Sequence, residues 1–353
     1  MTNSFWLYRI FDVAEEISLE RVEQILAQTG SASRMKLSRV RPKSIQIKNP
    51  PVTIDLGEET VTLQETRLKA TFSARIYDLG VISIVLRITL PPEYDYDHIH
   101  KLAIYIYNTD DLEPLFAGKL KHIQDTLHNA LIKPNLSGFV EDYIIYFFRN
   151  WNPEWDPAPL LLAETEALSD QSRRDIMANS FSYGREDLAV ITWDSALVYD
   201  ASGSADIPDL LEFANSQLLS LRYYDDLLSV EMEKMYQAIE DVETVPKYGR
   251  RKQYRRIMNR LMELVVDVSE ITERIHNSLR VTEDIFYARV YGAALNIFRT
   301  RAWADSIERK ISIIQQSYTM LSNEIVTQQS TMMELAIVLL IMLEIVLGLS
   351  KLL

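Results

Sequence analysis

The 353-residue chain contains no cysteine, which removes disulfides, thiolate zinc sites and thiol nucleophiles together. The glycine-built signatures of nucleotide and acyl chemistry are missing as well. No phosphate loop ending Gly-Lys-Ser/Thr, no Gly-rich dinucleotide turn and no Gly-x-Ser-x-Gly elbow occurs. Excess positive charge is also absent: 50 Asp and Glu against 37 Lys and Arg give a net charge of −13, the wrong sign for a general phosphate-backbone binder. Any nucleic-acid contact has to be local. The opening MTNSFWLYRIFDVAEEI has one basic residue, three acidic ones and no apolar h-region, so it matches neither a secretory signal nor an Arg-rich transit peptide. These absences point to a protein that stays on the side of the membrane where it is made, in a reducing compartment of a bacterial or archaeal cell.

With 47% apolar and 25% charged residues the chain has the make-up of a folded protein long enough for two domains. Residues 1–205 read as an α+β domain. Phe5 to Phe11 is apolar and aromatic, and Ser18 caps a short helix carrying Leu19, Val22, Ile25 and Leu26. Ser44–Lys48 and Val52–Leu56 alternate as strands around Asn49-Pro50-Pro51. Ala70–Ile76 and Val81–Thr89 form a hairpin through Asp78-Leu79-Gly80, where glycine supplies a positive φ. Helices are expected over Tyr96–Tyr107 and Leu115–Leu131, and strands over Tyr143–Phe148, Leu188–Trp193 and Ala196–Tyr199. The three prolines of WNPEWDPAP, Trp151–Pro159, suggest a surface connection.

After Ala201-Ser202-Gly203-Ser204 the pattern becomes helical. Residues 206–281 read as a hairpin, begun by Asp206 as cap and Pro208 in the first turn, and turning at Pro246 and Gly249. From Arg250 to Leu347 there is no proline and one glycine, Gly292. A single break is expected near Leu279–Val281, where Thr282-Glu283-Asp284 offers a cap and Val281 with Phe286 a staple, followed by a stalk helix over 282–330. Its seam, Ile311, Ile314, Tyr318, Leu321, Ile325, Gln328, Met332 and Leu335, alternates steps of three and four, with Gln328 as a polar residue that sets register. The seam serves either packing against the preceding helices or a coiled coil between copies.

The stretch MELAIVLLIMLEIVLGL, Met333 to Leu349, is apolar on every face and interrupted by Glu344. Leu335–Leu349 holds eleven Leu, Ile and Val residues, each worth about −0.3 to −0.6 kcal/mol of insertion, against roughly 3 kcal/mol for one central charge. Residues 331–353 are therefore expected to form a transmembrane tail anchor with the N-terminal bulk cytoplasmic. Glu334 and Glu344 are the candidate oligomer and membrane residues, because an acid in hydrocarbon needs a partner. A second candidate surface is KYGRRKQYRRIMNR, in which Lys247, Arg250, Arg251, Lys252, Arg255, Arg256 and Arg260 occur without an acid and with Tyr248 and Tyr254 interleaved. It reads as a solvated tip, an RNA or ribosome contact, or an anionic-lipid contact. His98 and His100 among Asp95 and Asp97 suggest metal ligands, but two residues apart on a helix they point apart. Asp225 and Asp226 read as helix surface. No catalytic residue, metal, cofactor or small-molecule substrate is expected.

Three segments carry a family resemblance: VTEDIFYARVY from Val281, FRTRAWADSIERKISIIQQSYTMLSNEI with Arg301 and Trp303, and the apolar run bracketed by Glu334 and Glu344. Over residues 206–350 the chain resembles the "required for meiotic nuclear division" family, a domain of unknown function with membrane-anchored members. That resemblance implies a membrane-anchored homo-oligomer, with mitochondrial relatives linked to organellar translation. By layout alone, an α/β domain feeding a long helix into a membrane is also similar to CorA-type magnesium transporters, in which case Glu344 lines a pore; the Gly-Met-Asn motif and second span of that family are absent. The reading that emerges is a membrane-anchored homo-oligomeric scaffold or tether, with an α+β domain, an antiparallel helical stalk and one transmembrane helix.

Overall fold

The computed structural model describes residues 2–27, 32–34, 49–135, 137–244, 247–278 and 284–350. Strands β1 (Ser4–Asp12) and β2 (Ala14–Ile17) lead to helix α1 (Leu19–Ala27), then β3 (Ala32–Arg34), β4 (Val52–Leu63), β5 (Thr66–Ile76) and β6 (Val81–Thr89). Next come α2 (Tyr96–Asn108), α3 (Glu113–Leu127), β7 (Leu131–Pro134), β8 (Val140–Phe148), α4 (Pro157–Leu162) and α5 (Asp170–Met177). Strands β9 (Ser180–Phe181), β10 (Asp187–Ile191) and β11 (Ser195–Asp200) precede four helices: α6 (Asp206–Thr244), α7 (Lys247–Ser278), α8 (Ile285–Ile297) and α9 (Thr300–Ser350). The expected strand Ser44–Lys48, the cap Thr282 and the Val281 staple lie outside the described residues.

The chain divides into two compact units, Met1–Tyr223 with Arg274–Trp303, and Tyr224–Glu273 with Ala304–Leu353. In the first, nine strands form one sheet in the order β3-β4-β5-β6-β1-β8-β11-β10-β9. The pairings are antiparallel except β8 with β11. Central β1 explains the layering. Phe5, Leu7 and Phe11 face a core closed by α1 to α4, while Trp6, Tyr8 and Ile10 face a second core closed by the start of α6 and by α8. Because both faces are covered, the strand is almost continuously apolar rather than alternating. The domain is thus an α/β layered structure with a mostly antiparallel sheet.

The β5–β6 hairpin turns at Gly80, whose φ is +82° and where a Cβ would stand 1.8 Å from the Ala14 carbonyl oxygen. Only glycine fits that approach. Ser18 caps α1 through the Arg21 amide at 3.4 Å, and Asp95 caps α2 through the His98 amide at 3.0 Å. Two expectations are corrected. Trp151–Pro159 is more than a connection, since Pro157 starts α4 at the position where a missing N–H costs nothing, Asp156 caps it, and Trp151 and Trp155 pack on Phe148. The stalk helix over 282–330 is interrupted at Phe298-Arg299, with Arg299 at φ +51°. Fully buried Phe298 packs edge-on against Tyr143 at 5.5 Å, and Thr300 returns its hydroxyl to the Leu295 carbonyl at 3.0 Å. The chain breaks there to seat an aromatic side chain, with no proline or glycine to mark it.

In the second unit, parts of α6, α7 and α9 pack together. Lys310 of α9 meets the Asp225 carboxylate at 2.7 Å and the Ser229 hydroxyl at 2.6 Å on α6. Arg260 of α7 meets Glu231 of α6 at 2.8 Å. Further along, Tyr254 and Met258 of α7 join Leu321 and Ile325 of α9, with Ile239 of α6 packed against them. These contacts set the direction: α6 and α9 run the same way and α7 runs back between their levels.

Candidate functional site

The apolar end of α9 follows directly from that packing. Ile314, Leu321 and Ile325 are buried and Ile311 and Tyr318 half-buried, so the seam of threes and fours seats α9 within its own unit. Met332 and Leu335, the next seam positions, are exposed, because α6 ends at Thr244 and α7 begins at Lys247 and neither reaches farther. The side chain of Gln328 lies outside the described residues. From Ile337 to Leu343 every residue is more than half exposed, from 51% at Ile341 to 64% at Leu340, so no face of the helix is covered. Among the described residues α9 is the one helix long and apolar enough, by length and composition, to cross a membrane. Glu334 and Glu344 are both exposed on it.

The basic stretch begins a helix: Lys247, Arg250 and Arg251 lie in the first turns of α7, though their side chains lie outside the described residues. Lys252, Arg255 and Arg256 are exposed, on the face opposite Tyr254, Met258 and Leu261, whose spacing of four and three points them inward. Arg260 is set apart by its pairing with Glu231. Asp225 is likewise not plain helix surface, since its side chain is 14% exposed and held by Lys310.

The first unit contains a site that no sequence motif indicated. Arg75 on β5 reaches across to α6 and pairs one guanidinium nitrogen with Asp209 and another with Glu212. A separation of three residues puts both acids on one helix face. All three side chains are at most 9% exposed, and Tyr8, Tyr77 and Ser83 surround them. Burial pushes both carboxyl groups above their usual range, and the Arg75 charge opposes it. The Ser83 hydroxyl lies beside Glu212, and among the described residues the Tyr8 and Tyr77 hydroxyls find no hydrogen-bond partner. Arg87, stacked 4.0 Å over Trp6, adds a second positive charge to the neighbourhood. The cluster joins β5 to α6 through charge-assisted hydrogen bonds held away from water.

A cavity of about 420 Å³ opens between Asp187, Asp200, Asp206 and Asp284 and the rings of Tyr183 and Phe286. Each carboxylate there already serves the local chain: Asp187 accepts from the Tyr183 and Gly184 amides, Asp200 from Ser202 and Gly203, Asp206 from the Tyr287 hydroxyl, and Asp284 from the Phe286 and Tyr287 amides. The last of these makes Asp284 the cap of α8. His98 and His100 are kept apart as expected: His98 meets Asp95 at 2.6 Å, whereas His100 meets the Pro159 carbonyl at 3.2 Å. Among the described residues no three His, Asp or Glu side chains converge to hold a metal.

Comparison with known proteins matches residues 2–206 to the family model "Uncharacterized protein MJ0711, N-terminal domain". The chain belongs to that family. The match covers the layered α/β domain. The relative "Uncharacterized protein MJ0711" of Methanocaldococcus jannaschii is 25% identical over 257 residues, 69% of this chain and 77% of the relative. No solved structure matches. Family membership corrects the resemblance to the "required for meiotic nuclear division" proteins, which rested on residues 206–350. The residues behind it, the cluster from Val281, Arg301, Trp303, Glu334 and Glu344, lie outside the segment that the family model matches. The family model's match lies in the sheet-forming half.

Proposed function

We propose that the protein is a membrane-anchored, non-enzymatic scaffold or tether, in which the apolar end of α9 crosses a bilayer and copies of the chain associate there. The observation that supports this is the all-round exposure of Leu335–Ile345 in a helix that keeps its buried stripe up to Ile325. A helix apolar on every face requires an apolar surrounding on every face. The expected gain from eleven Leu, Ile and Val residues is about 3 to 7 kcal/mol against roughly 3 kcal/mol for Glu344. Glu344 supports association, since an exposed acid within hydrocarbon is relieved by a partner helix. A structural role fits the buried groups as well, because Asp209 and Glu212, whose proton affinity is raised, are sealed under the sheet and ion-paired.

The test is alkaline carbonate extraction of membranes carrying the full chain, followed by mass measurement of the gently solubilised protein. The expected result is retention in the pellet and a mass of more than one chain. Full release by carbonate overturns the anchor, and a monomeric mass at all concentrations overturns the association.

A further inference from the structure

We propose that the outward face of the first turns of α7 docks anionic phospholipid headgroups beside the point where α9 enters the bilayer, and so fixes which side of the membrane the helical unit occupies. This rests on the anchor reading above. In sequence, the apolar segment has no Lys or Arg between Ser312 and Glu334, so that flank does not orient it. The packing of the second unit supplies the missing charge from another helix. Tyr254 and Met258 lie against Leu321 and Ile325, and α7 runs antiparallel to α9. At about 1.5 Å per residue, Lys252 therefore stands roughly 7 Å short of the level of Met332. Arg255 and Arg256 lie about 4 to 6 Å farther back, roughly 11 to 13 Å from that level and beyond one Debye length of about 8 Å, so salt screens them more strongly than Lys252.

A headgroup layer about 5 to 7 Å deep covers each side of the hydrocarbon. A long basic side chain at the level of Lys252 reaches it. Lys252, Arg255 and Arg256 share one exposed face, opposite the buried stripe, and Lys247, Arg250 and Arg251 belong to turns closer still to the apolar end. The first acid of α7 is Glu263. Of the α6 carboxylates, Glu233 and Glu240 line a shallow groove with Tyr236 and Lys310, and Asp241 is exposed in the last turn of α6. Positive charge thus faces outward next to the apolar segment, the arrangement that attracts phosphatidylglycerol-like headgroups at about fivefold per basic residue. Lys252 amounts to roughly a fivefold preference, and the more strongly screened Arg255 and Arg256 add less each.

The experiment uses the full chain with Asn259→Cys as the single labelling site, carrying an environment-sensitive fluorophore, in nanodiscs of phosphatidylcholine with or without phosphatidylglycerol. Expected are a several-fold stronger, blue-shifted signal in the anionic discs, its loss in high salt, and its loss in the triple variant Lys252→Glu, Arg255→Glu, Arg256→Glu. The three substituted side chains are exposed, and tryptophan fluorescence and helix content verify the fold. Equal signals in both discs at low salt, with the protein still incorporated, overturn headgroup docking and leave the anchor standing. Failure to enter either disc overturns the anchor, and headgroup docking with it. A triple variant that keeps the lipid signal but loses RNA or ribosome co-sedimentation assigns the face to RNA and overturns the proposal.

Discussion

Replacing Arg75 with Met tests the buried cluster most sharply. The substitution keeps the unbranched stem and removes the charge that faces Asp209 and Glu212, two acids with side-chain exposures of 7% and 1%. Removing one member of a buried ion pair costs about 3 to 5 kcal/mol because the remaining charge has no water to return to. Here two acids are left, and both already bind protons more tightly than exposed carboxylates do. Without Arg75 their folded-state proton affinity rises further, so the folded variant takes up protons that the unfolded chain does not. Stability then falls as pH rises, and the deficit relative to wild type widens from pH 5 to pH 8. All five tryptophans, Trp6, Trp151, Trp155, Trp193 and Trp303, lie in the first unit, so their fluorescence in a denaturant titration reports on it selectively. A companion variant that also replaces Asp209 with Leu and Glu212 with Met is expected to recover most of the loss. A deficit under about 1 kcal/mol, or one independent of pH, would refute a desolvated cluster.

Three further outcomes are expected. Asp12, pushed by burial up to about 6, binds a proton more readily folded than unfolded; between about pH 4 and pH 6 it therefore lowers stability as pH rises, by up to about 3 kcal/mol, and Asp12→Asn should flatten that slope in the same titration. Gly80→Ala should destabilise the first unit by more than about 2 kcal/mol, read from the denaturation midpoint, because the new methyl collides with the Ala14 carbonyl at a positive φ; a change under about 0.5 kcal/mol counts against the hairpin geometry. Glu344→Leu should leave carbonate-resistant membrane residence intact and shift the solubilised mass toward one chain. An unchanged mass removes Glu344 from the contact between copies.

Local signals in the sequence carried the fold where one residue does one job. Gly80 marks its turn, Asp95 and Ser18 mark helix starts, and the threes and fours from Ile311 to Ile325 mark a buried stripe. The sequence is less informative where a side chain answers to a distant element. Arg75 interrupts an apolar strand end, and Asp209 and Glu212 look like the wet face of an amphipathic helix; no local rule pairs a residue on β5 with two on α6 across more than 130 positions. Phe298 breaks the helix for the sake of Tyr143, again a tertiary contact. The seam past Ile325 reads as a continuation because periodicity does not reveal where the neighbouring helices stop. The level of Lys252 beside the apolar segment is of the same kind, visible once Tyr254 is seen against Leu321.

The proposed anchor places the α9 segment beyond Met332 in lipid, and the absence of cysteine makes this directly measurable. Single cysteines introduced from Val326 through Leu349 in the full chain, spin-labelled after reconstitution into vesicles, report collision with oxygen, which concentrates in hydrocarbon, against collision with a polar nickel chelate. The expected profile is water access up to about Met332, and oxygen access across Leu335–Leu349 without a buried stripe except beside Glu344. Nickel access along the whole segment, or low access to both reagents on one continuous face, would contradict it and place the segment in water or in a protein interface.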